Sequence, residues 1–361
     1  MYTKDIILTG IEQIVELSHK YGIADYVRGG GGNTSYKNDT TIWVKPSGTT
    51  LLSIKAEDFV AMDRANLNTL NDVTPPTDPT QREVLVKEYM LKAKLDPDSG
   101  RPSVEAPLHN SLDTAFVVHT HPAVVNGMTC GINGKDACQK LFPEALWIDY
   151  IDPGYTLCMK VRDDINDYKA RHGKEPSVIF LDNHGAFISG DTSEEIEALY
   201  SKVMSVLKEK YNAASLTTEL EIGLLPAKDK QDSAIAFIKE NYPADGICIE
   251  LSGSFAVPQG PISPDHIVYS KSYIFIGTPD KHALGDFQKK HGYLPNVIAW
   301  ENMVFGVGAT ENKASLALEF AQDGALVTQL TTVFGGIDYL TNVSVDFIEN
   351  WEVESYRSKQ L

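Results

Sequence analysis

Residues 116–122 read Phe116-Val117-Val118-His119-Thr120-His121-Pro122, a short β-type run closed by a proline that cannot donate to a strand ladder. On a strand, side chains two apart share a face, so His119 and His121 point the same way, with Cα atoms roughly 6.5–7 Å apart. Two imidazoles so placed can converge on one metal ion, or they can simply be hydrogen-bonded inside a polar pocket. A second run of the same kind, Ser177-Val178-Ile179-Phe180-Leu181, ends at Asn183-His184-Gly185, where the glycine lets the backbone bend. Three neutral imidazoles with one open position form the donor set of a catalytic zinc rather than a structural one. Spacing along the chain does not by itself bring His184 beside His119.

Upstream lie two polar turns. Arg28-Gly29-Gly30-Gly31-Gly32-Asn33-Thr34-Ser35 precedes the strand-like Thr41-Ile42-Trp43-Val44, and Lys45-Pro46-Ser47-Gly48-Thr49 comes directly after it. Glycines admit a close approach of backbone N–H groups to an anion, and Asn33, Ser47 and their neighbours add short polar side chains. Either turn alone is also an ordinary glycine turn, and neither is a Walker A loop or a dinucleotide fingerprint. Glu105 lies in Arg101-Pro102-Ser103-Val104-Glu105-Ala106-Pro107-Leu108-His109, shortly before the histidine pair. An isolated Glu is ordinarily solvated; beside a metal it is a group for moving a proton at carbon.

Outward from these motifs, residues 4–22 carry apolar side chains at helical spacing (Ile7, Leu8, Ile11, Ile14, Val15), and 71–80 read as a loop before a helix at 81–95. Asp191-Thr192-Ser193-Glu194-Glu195 opens a strong helix, with Thr192 and Glu195 as a capping box and Ile196, Leu199, Tyr200, Val203, Met204 and Leu207 as its apolar stripe. Composition turns polar around 212–232, which places a domain boundary there and divides the chain into 1–220 and 221–361. Beyond it, a helical segment (233–241), strand-like segments (246–251, 267–269, 273–276, 296–300) and a helix at 311–323 suggest a second, smaller α/β unit. Gly306-Val307-Gly308 before that last helix reads as a structural turn, or as a place for an anion at a helix N-terminus.

Composition bounds the partners. Asp and Glu outnumber Lys and Arg 49 to 32 in 361 residues, a formal charge of −17 that repels nucleic-acid phosphates and anionic lipid. Neither a nucleic acid nor a membrane is therefore expected, while a locally positive site can still take a small anion. Cys130, Cys138, Cys158 and Cys248 show no C-x-x-C spacing and read as reduced thiols. With no signal-peptide pattern at the N-terminus, the expected location is cytoplasmic.

Taken in order, Gly-Gly-Asn-Thr-Ser (31–35), Lys-Pro-Ser-Gly-Thr (45–49), Pro-Ser-Val-Glu-Ala-Pro-Leu-His (102–109), Val-His-Thr-His-Pro (118–122) and Asn-His-Gly (183–185) resemble the class II aldolase/adducin family. Ser-Gly-Asp-Thr-Ser-Glu-Glu (189–195) resembles the segment after that family's third histidine. Gly-Pro-Ile-Ser-Pro-Asp-His-Ile-Val-Tyr-Ser-Lys (260–271) and the ending near Phe347-Ile348-Glu349-Asn350-Trp351 are similar to the aldolase half of bifunctional rhamnulose-1-phosphate aldolase/lactaldehyde dehydrogenases. The chain ends about where the dehydrogenase part would start, and it shows no G-x-G-x-x-G between a strand and a helix, so no nicotinamide binding is expected.

The resemblance implies an α/β/α sandwich on a central mixed, largely antiparallel sheet, assembled as a homo-oligomer, commonly a tetramer. It implies Zn²⁺ on His119, His121 and His184, Glu105 as the acid/base, and Asn33, Ser47, Gly48 and Ser103 around the phosphate of a small phosphorylated sugar. The implied activity is cleavage of a ketose 1-phosphate of the rhamnulose or fuculose type to dihydroxyacetone phosphate and an aldehyde. Simple fuculose-phosphate aldolases carry a second Ser where this chain has Val104, which removes one phosphate donor. Alternatives on the same fold are a pentulose-phosphate 4-epimerase, whose members typically carry Asp at the position of Glu105, a sugar-phosphate dehydratase, and a non-catalytic adducin-like scaffold lacking the zinc ligands.

Overall fold

The computed structural model describes residues 2–351, apart from the side chains of residues 2–8 and 79–80. By its internal contacts the chain forms two compact units. One holds Asn126–Asn133 with the chain from Lys208 onward, and the other holds the rest.

In the first unit, strands β1 (Asn33–Lys37), β2 (Thr41–Val44), β3 (Val60–Asp63), β4 (Phe116–Thr120), β5 (Leu146–Ile148), β6 (Val178–Leu181) and β7 (Gly185–Gly190) make one sheet in the order β3-β2-β1-β4-β7-β6-β5. All neighbours run antiparallel except β5 and β6, so the sheet is mixed and largely antiparallel. Period-two alternation sorts its faces. Thr34 faces the helix Tyr2–Tyr21, where its hydroxyl meets that of Ser18 at 2.7 Å. Thr120 bonds the Tyr200 hydroxyl at 2.8 Å, and Tyr200 stacks on Tyr21, which brings the helix Ser193–Ala213 to the same face. On the other face, Val117, Ile179, Leu181 and Phe187 pack with Leu108, Leu157, Val161 and Ile165, under the helices Ala106–Ser111 and Tyr155–His172. This is the expected α/β/α sandwich.

Local signals account for the boundaries. Asp78 caps the helix Pro79–Ala93 by accepting from the Gln81 N–H, so the loop before it ends where the cap begins. Thr192 accepts from the Glu195 N–H, while the Glu195 carboxylate reaches back to the N–H of Asp191 rather than of Thr192. In the helix Tyr2–Tyr21 the side chains of Ile7 and Leu8 lie outside the described residues; Ile14 and Leu17 are buried.

The second unit is the expected smaller α/β body. Strands β8 (Cys248–Gly253), β9 (Phe275–Ile276), β10 (Val297–Trp300) and β11 (Met303–Gly308) lie in the order β8-β11-β10-β9. Val297 and Val304 pack on Ala317, Leu318 and Ala321 of the helix Glu311–Thr331, while Ile298, Phe305 and Val307 pack on Ala234, Ile238 and Leu284 from the helices Lys228–Asn241 and Lys281–His291. Gly306 and Gly308 lie within β11, and Thr310 caps the next helix by accepting from the Lys313 N–H.

The expected strand at 267–269 is instead part of a helix, Pro264–Ser270. Pro264 presets φ at the first helical position after an extended Ser263, and the Ile267 N–H bonds the Ser263 carbonyl at 3.1 Å. The β-type run Ile-Val-Tyr is held helical by packing, with Tyr269 stacked on Phe320 at 4.6 Å between ring centroids.

Candidate metal and substrate site

The histidine triangle is assembled by three adjacent strands. His119 lies in β4 between β1 and β7, opposite Asn33 on one side and Phe187 on the other. His121 stands just beyond β4, its N–H bonded to the Tyr26 carbonyl at 2.9 Å. His184 occupies the turn from β6 to β7, entered through Asn183 at φ 50, a left-handed conformation that Asn tolerates better than most residues. The turn needs Gly185: a Cβ there would lie 2.5 Å from the Thr120 carbonyl oxygen and 2.7 Å from the His121 ring. Gly32 is required in the same way, with φ +63 and the His119 carbonyl 2.7 Å from where its Cβ would be.

The three rings have centroids 4.6, 5.0 and 4.9 Å apart, and one ligand nitrogen from each lies within 4.8 Å of the others. His119 is fully buried, stacked on Phe187 at 3.9 Å, and its Nδ1 meets the Ala186 carbonyl at 2.9 Å. That bond keeps the proton on Nδ1 and turns the Nε2 lone pair inward, where the Nε2 of His121 stands 2.9 Å away. Two imidazole lone pairs aimed at one point repel unless a proton or a cation lies between them. The donor set therefore fits a metal ion, and three imidazoles suit zinc.

Glu105 closes the triangle. It is 7 % exposed, immediately before the helix Ala106–Ser111. Its Oε1 lies 3.6 Å from His119 Nε2 and 4.0 Å from His184 Nε2, while its Oε2 accepts from Asn33 Nδ2. The sequence brought Glu105 no nearer than chain proximity to the histidine pair; the structure sets its carboxylate against two of the three imidazoles.

The two polar turns meet the segment before Glu105. Pro46 and Pro102 form a bridge, the Ser47 N–H bonds the Arg101 carbonyl at 2.8 Å, and the Ser103 N–H bonds the Lys45 carbonyl at 3.1 Å. Ser47, Gly48 and Ser103 are thus gathered, with Gly48 at φ 84. The buried Lys45 ammonium reaches the Gly30 carbonyl at 3.4 Å and ties the first turn to the second. Asn33, the first residue of β1, contacts Glu105. The Ser103 hydroxyl accepts from the Glu105 N–H at 3.3 Å, and Val104 offers its carbonyl to the buried Cys158 thiol.

Sequence reading missed the polar line beside this site. Ser35 and Lys37 share the β1 face with Asn33. The Ser35 hydroxyl lies 2.8 Å from His109 Nδ1, and both residues are fully buried. Burial, reinforced by His119 and Lys37, pushes the His109 pKa well below the ordinary histidine value. Lys37 is 2 % exposed, and its ammonium has no hydrogen-bond partner among the described residues. The signal was the alternation Asn33, Ser35, Lys37 in a strand whose five residues are all polar or aromatic.

Residues 12–208 match the family model described as the class II aldolase and adducin N-terminal domain, and the chain belongs to that family. A Bacillus subtilis (strain 168) protein described as the uncharacterized oxidoreductase YuxG is 27% identical over 323 residues, 78% of this chain and 45% of that protein. The chain thus spans less than half the length of that relative. Among solved structures, the N-terminal class II aldolase domain of a conserved protein from Thermoplasma acidophilum is 26% identical, covering 55% of this chain and 92% of that one, with a TM-score of 0.48. An L-fuculose-1-phosphate aldolase from Thermus thermophilus is 14% identical, covering 56% and 94%, with a TM-score of 0.36. Among the described residues, no helix is long and apolar enough to cross a membrane.

Proposed function

We propose that this chain is a zinc-dependent aldolase that cleaves a ketose 1-phosphate to dihydroxyacetone phosphate and an aldehyde. The observation that carries the reading is the Glu105 carboxylate, buried and held with one oxygen toward the imidazole triangle and the other on Asn33. A scaffold protein has no use for a carboxylate confined beside three converging imidazoles, whereas carbon–carbon lysis needs a group that moves a proton at carbon next to a site for negative charge.

His119, His121 and His184 hold the metal, which when bound supplies Lewis-acid stabilisation of the charge that develops on the ketose oxygens. Glu105 delivers a proton to the carbon left by cleavage, and removes it in the condensation direction. Asn33, Ser47, Gly48 and Ser103 hold the phosphate, so that binding energy remote from the reacting carbons orients them. The Phe187 stack and the Ala186 carbonyl keep the His119 ring in place throughout.

A product assay over a panel of ketose 1-phosphates and pentulose 5-phosphates tests the reading: dihydroxyacetone phosphate is the expected product, and epimerised pentulose phosphate alone would overturn it. Metal analysis tests the ligand set. The wild type is expected to hold one Zn²⁺ per chain and His121→Ala to lose it, while equal zinc in the two would remove the histidines from that role. Protein that stays metal-free on zinc addition would favour a scaffold.

A further inference from the structure

The segment 260–271 is left unused by the proposed reaction, and it builds a buried polar line inside the second unit. Ser263, just before the helix Pro264–Ser270, places its hydroxyl 2.7 Å from His266 Nδ1. On the other side of the ring, an Asp323 carboxylate oxygen stands 3.3 Å from His266 Nε2. All three residues are buried, His266 at 5 % exposure. The carboxylate favours the ring proton on Nε2, which leaves Nδ1 to accept from the Ser263 hydroxyl. Asp323 nevertheless lies too oblique to take that proton, for Nε2 has no hydrogen-bond partner among the described residues. A buried N–H fixed from behind and left without an acceptor is costly, and such atoms concentrate where a ligand completes the set.

His266 lines a narrow cleft of about 250 Å³, its open mouth included, together with Ile262, Ser270, Ser272, Ile274 and Phe320. Gly324 lets this wall close on the helix Glu311–Thr331, since a Cβ there would lie 2.8 Å from Ile262 Cδ1 and 3.1 Å from His266 Cδ2. Between the two serines Lys271 turns the chain at φ 68 and ψ 163, a conformation nearly confined to glycine. Strain of that kind persists where it positions groups. The Ser270 hydroxyl donates to the His266 carbonyl at 2.8 Å, and the Ser272 hydroxyl to Glu349 Oε1 at 2.9 Å. With their protons so used, both serines offer the cleft lone pairs. Asp323 and Glu349 outweigh Lys271 in charge, and the Lys271 ammonium lies over the Tyr293 ring, 5.2 Å from its centre. An anion is thereby disfavoured. The complement is small and neutral, with an acceptor for His266, a hydroxyl to donate to a serine, and an apolar remainder against Ile262, Ile274 and Phe320. We propose that the cleft binds a short α-hydroxy ketone or aldehyde, its carbonyl on His266 Nε2 and its hydroxyl on Ser270 or Ser272. Cleavage of a ketose also leaves such a compound, so the cleft suits the proposed activity without depending on it.

The whole zinc-loaded chain, with its histidines labelled with nitrogen-15, is titrated with hydroxyacetone and followed by NMR. The His266 resonance is assigned by its loss in His266→Gln. Hydroxyacetone is expected to shift that resonance saturably in the millimolar range. Acetone lacks the hydroxyl, 1,2-propanediol lacks the carbonyl and lactate adds a charge; each is expected to need about tenfold more, the worth of one lost hydrogen bond. Ser270→Ala or Ser272→Ala is expected to weaken hydroxyacetone by about the same factor while leaving acetone unchanged. A His266 resonance indifferent to hydroxyacetone overturns the proposal. Tighter binding of lactate would make the cleft an anion site, and equal response to all four compounds would make the shift a solvent effect; either overturns it as well. If His266→Gln does not fold, Ser263→Ala assigns the resonance, because it removes the partner of His266 Nδ1. None of these readings uses aldol cleavage, so failure of the aldolase reading is seen separately.

Discussion

Strands β1 and β11 occupy equivalent places and are built in opposite ways. Each is an interior strand, β1 between β2 and β4 and β11 between β8 and β10, and both are almost wholly buried. β11 reads Met-Val-Phe-Gly-Val-Gly and its side chains enter apolar clusters on both faces. β1 reads Asn-Thr-Ser-Tyr-Lys, and one whole face of it is polar. Burying Asn33, Ser35 and Lys37 forgoes the transfer free energy that Val304, Phe305 and Val307 collect, and it demands a partner for every polar atom. Three atoms on or against that face, Asn33 Oδ1, His109 Nε2 and Lys37 Nζ, have none among the described residues. A sheet tolerates such a strand when its polar face borders a site, and the histidine triangle with Glu105 lies at the Asn33 end of β1.

The contrast breaks most visibly at Glu105. Glu105→Gln keeps the size and the bond from Asn33 but cannot carry a proton. It is expected to retain zinc and bind dihydroxyacetone phosphate, while exchange of that ligand's C–H hydrogen with D₂O and aldol cleavage fall by roughly 10²–10⁴-fold. Exchange at the wild-type rate would move proton transfer to another group and weaken the aldolase reading. In β11, Phe305 is 0 % exposed and packs in an apolar cluster with Ala234, Ile238 and Leu284. Phe305→Ala is expected to cost about 3–5 kcal/mol of stability, read by denaturant unfolding. Folded variant protein should hold the same zinc and exchange the same hydrogen as wild type. Loss of zinc from folded Phe305→Ala would show that the apolar strand also supports the site.

Neither strand is legible as one in the sequence: Gly306-Val307-Gly308 of β11 reads as a turn before a helix, and the start of β1 as part of a loop. Short β-type runs and the turn residues that stop them mark β2, β4 and β6, and strand-like segments mark β8, β9 and β10, because apolar strands announce themselves by hydrophobicity. β1 carries no such pattern, so the residues from Asn33 to Ser35 read as the tail of a glycine turn. The histidine triad was legible as two separate strand ends, yet only the antiparallel pairing of β4 with β7 brings His184 to His119. Pairing is a non-local choice that spacing does not encode. The contact between Asn33 and Glu105 was hidden for the same reason, since it spans 72 residues and needs β1, β4 and the segment before Ala106 in place. The segment Pro264–Ser270 misleads in the other direction, its β-branched residues outweighed by Pro264 at the first turn and by packing on Phe320.

A further expected effect comes from the far end of the polar face and separates two ways of burying a lysine. Lys37 is 2 % exposed; burial and the neighbouring Arg64 charge lower its pKa, Glu175, Asp113 and Asp191 oppose them, and the value settles at about 7 against an ordinary 10.5. On the same polar face, burial above all, with His119 and Lys37 acting in the same sense, pushes the His109 pKa well below its ordinary value. Because the folded pKa lies below the unfolded one, the folded chain binds fewer protons between about pH 7 and 10.5, so stability rises with pH across that window and is flat below it. The slope from this one group is at most about 1.4 kcal/mol per pH unit, and each kcal/mol moves Tm by about 2–4 °C in a unit of this size. Lys37→Met keeps the length of the side chain and removes the titration. The variant is expected to melt higher than wild type at pH 7, by an amount that shrinks steadily towards pH 10. Melting curves of both proteins across that range decide it. A gap that does not change with pH would mean that the ammonium stays charged between Asp113, Asp191 and Glu175. That end of β1 would then be an ion-pair network rather than a continuation of the neutral polar face that begins at Asn33.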